Sequence, residues 1–367
     1  MTHVFSKTQR YRQQSLALLI VTLALGSGSV SHGGPYRLPE PLPETRLLDM
    51  HCHVVGIGAG GSGCFISSKL EHGWKSGIYL RSFGVTREEV AAKGDSLLFD
   101  KISAQIAQSR HVGAAIILAL DGVVNAEGEL DRVRTQIYVP NEFVARETAR
   151  HTNLRFGASI NPYRRDALTR LEWAKANGAK LVKWIPSIMQ IDPADERLVP
   201  YYRKLVELRL PLLTHTGAEH ALAHTDDALC DPERLRLPLR LGVTVIAAHI
   251  ASTGISAGER DTDRLRRLLV EFPNLYSDIS SLTQINKLGY LGEALQRPEF
   301  KGRLLYGTDF PLINTILVSP YYFAGHLTWK QIREIAAVRN PWDRDVALKQ
   351  ALGVPRDVFM RPIQFFR

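Results

Sequence analysis

The chain has 367 residues, 45% of them hydrophobic and 23% charged, a balance that excludes wholesale disorder and leaves room for one large domain or two ordinary ones. Its formal charge of +9 is scattered, without the long basic stripe and interleaved aromatics of a nucleic-acid protein, and the one cluster (Arg264, Arg266, Arg267) reads as a solvated helix face, so nucleic acid is not an expected partner. Three cysteines make no disulfide framework: Cys52 reads as a small buried residue, and a Cys64–Cys230 pair stays open.

Residues 1–14 are polar and basic, 15–25 (SLALLIVTLAL) form a continuous apolar run, and GSGSVSHGG follows. This is the three-part layout of a secretory signal. The apolar run is short for a membrane span, which needs about 20 residues. Residues 1–31 are therefore read as a signal peptide with a cleavage site near Ser29-Val30-Ser31, or alternatively as an uncleaved membrane anchor. Either way the remainder is expected to be secreted or periplasmic in a bacterium, meeting the membrane only through this segment. Lys7, Arg10 and Arg12 lie in it with no acid, which leaves +6 for the rest. Residues 32–45, with YRLPEPLPE, read as an extended linker, and 46–367 as a single domain.

That domain opens on LLDMHCH (47–53), a short buried strand ending in His51 and His53. Residues two apart on a strand share a face, so both imidazoles can meet one point, half of a metal site. Next, residues 58–63 fit G-x-G-x-x-G. A dinucleotide fingerprint needs its glycines on the strand end and a helix directly after. Here the glycines stand off from the strand and no helix start follows, so a long mobile loop over a site is the better reading.

From residue 87 the pattern alternates. A helix over 86–110 with a possible break at Gly94 precedes a strand at 114–120. A helix capped by Asn141, a strand at 154–160, a helix ending at Gly178 and a strand at 180–185 follow. Then come a helix over 196–210, a strand at 211–216, broken helix over 218–241 and a strand at 243–249. A helix, a strand at 274–280, a helix, a strand at 303–310 and a helix from Trp329 complete the series. Eight short apolar strands, each followed by helical sequence, imply a parallel sheet covered by helices, and eight such units in about 320 residues predict a (β/α)₈ TIM barrel rather than an open doubly wound sheet.

Barrel enzymes build their sites at the C-terminal strand ends. The polar residues expected there are His51, His53, Lys183, His215, His249 and Asp309, all metal-ligand or proton-transfer types.

The motifs D-M-H-C-H, L-V-K-W-I-P, L-L-T-H-T-G-A-E-H, V-I-A-A-H and L-L-Y-G-T-D-F-P, in this order, resemble the amidohydrolase superfamily of metal-dependent hydrolases, within it the amidohydrolase-related group that includes non-oxidative decarboxylases. The resemblance implies His51, His53, His215 and Asp309 as metal ligands, with Asp309 also a catalytic proton carrier. His249 would polarise substrate or carry a proton with one ion, or bind a second ion. Lys183 would be a carboxylated bridge between two ions, or bind an anionic substrate group. Glu219 would support the site or the substrate, Asp49 would be structural, and His220 and His224 would be surface or loop residues. The cofactor implied is a divalent metal, one or two ions, for which zinc suits the imidazole and carboxylate donors; manganese, iron and cobalt suit them too. The expected reaction is hydrolysis of a small-molecule amide, lactone or ester by metal-activated water, with decarboxylation as the alternative. Relatives in this group are often dimers, so a homodimer is open, although the sequence marks no dimer face.

Overall fold

The computed structural model describes Leu42 and residues 46–68, 79–219 and 225–367. The signal or anchor segment, nearly all of the linker, and His220 and His224 lie outside the described residues. No helix among the described residues is long and apolar enough to cross a membrane.

Eight strands form the scaffold: β1 (Leu47–His53), β2 (Val112–Leu118), β3 (Leu154–Gly157), β4 (Val182–Trp184), β5 (Leu212–Thr214), β6 (Val245–Ala247), β7 (Leu275–Asp278) and β8 (Leu304–Leu305). β1, β2 and β3 pair in parallel, and β4 to β8 pair in parallel in sequence order. Two seams join the sheets. Ala158 bridges Val182, with Lys183 N donating to Ala158 O at 2.7 Å. Cys52 bridges Phe310, with His53 N donating to Phe310 O at 2.8 Å. The result is a closed (β/α)₈ barrel.

Strand alternation divides the apolar residues between two cores. Met50, Ile116, Leu118, Leu181, Leu213, Ile246 and Leu305 fill the barrel interior. Cys52, Ala115, Ile117, Phe156, Val182, Trp184, Leu212 and Val245 join the larger core shared with the helices. Burial on both faces is why the strands read as unbroken apolar runs. The helix Arg356–Phe365 closes the N-terminal end, bringing Phe365 and Phe366 against the interior core.

Several expectations change. Several strands end earlier than their apolar runs, so His215, His249 and Asp309 lie beyond their strands, while His51, His53 and Lys183 stay within theirs. The first long helix divides at Gly94 into Arg87–Lys93 and Ser96–Gln108. Asn141 does not cap its helix: it is the first helical residue, and its amide pairs instead with both backbone groups of Ser159, at 2.7 and 2.8 Å. The glycine-rich loop is pinned rather than loose. The buried Asp95 carboxylate accepts from Ile57 N, Gly58 N and Ser62 Oγ at 2.9, 2.9 and 2.5 Å. Its amides thus bind a carboxylate of the chain itself where a phosphate would sit in a nucleotide fold. All three cysteines are buried and free, so Cys64 and Cys230 are not paired. Two helices the alternation did not resolve, Pro341–Ala351 and Arg356–Phe365, complete the chain.

The β8-to-β1 seam depends on Asp49. Its buried carboxylate accepts from His51 N at 3.1 Å, Thr308 N at 3.0 Å, Thr308 Oγ1 at 2.6 Å and Trp342 Nε1 at 2.9 Å. Trp342 stacks on Phe310 with ring centroids 4.5 Å apart. One side chain therefore ties β1, the segment after β8 and the penultimate helix together. Asp49→Ala strands several buried donors and is expected to lower unfolding free energy by on the order of 3 kcal/mol in urea. Burial raises the Asp49 pKa to about 6 against the pull of its donors. A folded-state pKa above the unfolded value means the folded protein takes up a proton first as pH falls, so Asp49's contribution to stability grows between pH 7 and about pH 4. The stability difference between wild type and Asp49→Asn should grow accordingly in urea titrations at pH 7 and pH 5; a constant difference would show that Asp49 does not titrate there.

Candidate active site

His51 and His53 end β1 on one face, as alternation requires, with ring centroids 5.0 Å apart and Nε2 atoms 3.1 Å apart. His215 directly follows β5. His249 follows β6 in a tight turn, Ala248–Ala251, at φ 58°. Asp309 lies beyond β8 at φ 63°. These left-handed conformations turn both side chains in over the barrel mouth. Asp309 Oδ1 is 3.6 Å from His51 Nε2 and 3.4 Å from His53 Nε2, and Oδ2 is 4.0 Å from His249 Nε2. The His249 ring lies 5.1 Å from His51 and 5.3 Å from His215, centroid to centroid. Lys183 Nζ stands 3.2 Å from His51 Nε2. The structure thus brings together all six residues singled out at the strand ends. Glu219 lines the same cavity, with Oε2 3.5 Å from His215 Nδ1.

The far sides of the rings are fixed. His51 Nδ1 donates to Asp278 Oδ2 at 2.8 Å, and His249 Nδ1 donates to the Ser280 carbonyl at 3.0 Å. With Nδ1 protonated, the Nε2 lone pairs of His51 and His249 face the site. His215 Nε2 is buried and has no hydrogen-bond partner.

Burial keeps these rings neutral. It lowers the His51 pKa to about 4, with nearby Lys183 adding to the effect, and it lowers His215 and, further, His249. It also lowers Lys183 to about 8. Burial alone would raise Asp309, but His249 and His53 hold it well below the usual carboxylate range. Neutral imidazoles with inward lone pairs, an ionised carboxylate and an orphaned His215 nitrogen form a donor set that fits a divalent cation. Among the described residues, two groups of donor atoms are close enough to hold one: His51, His53 and Asp309, and His51, His249 and Asp278, the second being the set that meets behind the rings.

Asp278 and Ser280 escaped the sequence reading. Asp278 is fully buried at the end of β7. It accepts from His51 Nδ1, His249 N at 2.9 Å and Ser280 Oγ at 2.5 Å. The signal was present: Asp278 ends a strand just as the other site residues end their apolar runs.

Residues 48–325 match the family model described as Amidohydrolase. The chain belongs to the amidohydrolase family. It is an enzyme of the amidohydrolase type, and this family usually binds a divalent metal. Among solved structures, it resembles an uncharacterized TIM-barrel protein from Bordetella bronchiseptica at 17% identity and TM-score 0.51, covering 84% of this chain and 99% of that one. A putative 2-pyrone-4,6-dicarboxylic acid hydrolase from Pseudomonas putida is 12% identical with TM-score 0.46, covering 87% of this chain and 100% of that one. A 5-carboxyvanillate decarboxylase from Sphingomonas paucimobilis is 10% identical with TM-score 0.43, covering 86% and 99%. No curated protein matches the sequence.

If Asp278 orients His51 and His249 for a metal, Asp278→Asn should weaken metal retention about 10–100-fold. Metal per protomer after dialysis against a competing chelator checks this, and wild-type retention would assign Asp278 to the fold alone.

Proposed function

We propose that the amidohydrolase-family chain is a metal-dependent hydrolase that cleaves a C–N or C–O bond of a small amide, lactone or ester with metal-activated water. The observation that carries this reading is the convergence of His51, His53 and Asp309, with the unpartnered His215 Nε2, at one end of the barrel. These four residues would hold the ion, and zinc is the first candidate, with manganese, iron or cobalt as alternatives. A divalent ion there supplies Lewis acidity, bringing the pKa of water toward neutrality and polarising an electrophile.

The chain's own groups do the rest. Asp309, held ionised among the histidines, accepts the proton of the attacking water and returns it to the leaving group. His249 is fixed through Nδ1, so its bare Nε2 faces the reacting atoms; there it accepts a proton, or binds a second ion. Lys183 lies close enough to His51 Nε2 to act as a bridge in a two-ion site, or to meet a substrate anion in a one-ion site. Glu219 holds His215. The second reading keeps the metal and removes a carboxylate without water attack; its support is the same donor set, which serves either chemistry.

Metal analysis by mass spectrometry comes first. About one ion per protomer, lost in the His51→Ala/His53→Ala variant, supports the one-ion form, and two would make Lys183 and His249 ligands. No metal in folded protein grown with zinc and manganese would remove the mechanism. Asp309→Asn should then lower turnover by about 10²–10⁴-fold while the fold persists. A product assay separates the two reactions: carbon dioxide released without uptake of labelled water would sink hydrolysis.

Residues 1–31 further support an exported protein, secreted, periplasmic or anchored at the periplasmic face. Fractionation of a Gram-negative host and the N-terminal sequence of the recovered protein test it, and an intact, cytosolic chain would refute it.

A further inference from the structure

Two buried cations away from the cavity are paired. Arg164 donates to both oxygens of Asp121, and Lys349 Nζ donates to Asp345 Oδ2 and Gly307 O, each at 2.9 Å. Lys287 is the contrast. It ends the short turn Ile285–Lys287 after β7, is 7% exposed and lines the cavity that also holds His53, Asp309, His215 and His249. Its ammonium donates to Ser281 Oγ at 2.7 Å and makes no ion pair among the described residues. An ammonium carries three donors, so two remain. Asp309, Glu219 and Asp278 favour its charge from longer range while burial opposes it. Beside it, the Gln284 amide lines the same cavity at 4% exposure, and its Nε2 has no partner.

A buried ammonium with one neutral hydroxyl partner and a buried amide nitrogen with none are unfavourable unless something supplies further acceptors. The turn that carries them is also fixed: Lys287 N donates to Gln284 O, and Ile285 N donates to Leu317 O, both at 2.9 Å. The donors therefore hold their place rather than swing to solvent. The apolar part of the cavity lining includes Val54, Ile57, Leu80, Phe83, Leu120 and Ile137.

We propose that Lys287 and Gln284 form the anchor for a carboxylate on the substrate, so that the enzyme takes a small acid whose carboxylate lies at the β7 turn and whose apolar body lies along the apolar part of the cavity lining. The inference rests on reading this cavity as the substrate pocket, but not on the metal. The anchor makes Lys287 a specificity residue that stands apart from the bond that breaks.

The test uses benzoate and its uncharged isostere benzamide as probes, titrated calorimetrically into metal-loaded protein. Wild type is expected to bind benzoate at least tenfold more tightly than benzamide. Lys287→Met should erase that preference by weakening benzoate alone, and Lys287→Arg should restore part of it. The His51→Ala/His53→Ala variant should keep the preference, because the carboxylate is read by Lys287 and not by an ion. Equal binding of the two probes to wild type, binding of neither, or a preference lost in the histidine variant but kept in Lys287→Met would each overturn the anchor. If Lys287→Met fails to fold, Lys287→Gln takes its place and should lose the preference likewise. Failure of the metal reading would instead show as absent metal with the benzoate preference intact.

Discussion

The site depends on one buried carboxylate. Asp278 has no access to water, yet it accepts from a β1 side chain, from the backbone of the β6 turn and from Ser280 in its own loop. Burial by itself would neutralise it, but His51 and His249 hold its pKa far below the ordinary value. An acceptor-only group at this point forces every neighbour to present a hydrogen. That requirement fixes the protonated nitrogen of His51, and the Ser280 carbonyl does the same for His249. The inward lone pairs follow from hydrogen bonding behind the site rather than from the residues at its front.

The same logic explains the seam between β8 and β1. β8 is only two residues long, so backbone pairing there is sparse. Asp49 replaces it with side-chain acceptance from Thr308 and Trp342, and the chain passes close to β1 at Gly307. A Cβ there would come within 2.9 Å of His51 Cβ, so glycine is needed for the approach. The G-T-D-F-P run therefore has a structural part, Gly307 and Thr308, and a chemical part, Asp309. Their adjacency places the Asp309 carboxylate beside β1.

Much of this was legible in the sequence. Apolar runs at regular intervals gave the barrel, and the polar residues closing those runs gave His51, His53, Lys183, His215, His249 and Asp309. Strand alternation was enough to place Cys52 on the helix side, between the two histidines. What escaped was whatever depended on contacts distant in sequence. Asp278 meets His51 across 227 positions, and Trp342 meets Asp49 across 293, so neither leaves a local pattern. Asn141 looked like a cap because local propensity favours that role, but its side chain found the Ser159 backbone in the next unit. The glycine-rich loop looked loose because its anchor, Asp95, lies in a later helix–helix junction. Lys287 and Gln284 sit in a turn with no apolar periodicity, so only the cavity reveals them.

The early ends of the strands have a chemical reason. A side chain on a strand points perpendicular to the chain, toward the interior or toward the helices. His51, His53 and Lys183 reach the site from within their strands, but for His249 and Asp309 the backbone turns first. His249, Ile250, Ala251, Ser281 and Asp309 all adopt positive φ without being glycine. Each such residue costs on the order of 1 kcal/mol relative to its relaxed conformation. At the C-terminal ends of β6, β7 and β8 the turn backbone bonds to Asp278 and to neighbouring chain segments, which hold these conformations in place. Uniform strands would give a more stable barrel, with His249 and Asp309 pointing into the walls. The bent ends trade part of that stability for side chains that converge on one point.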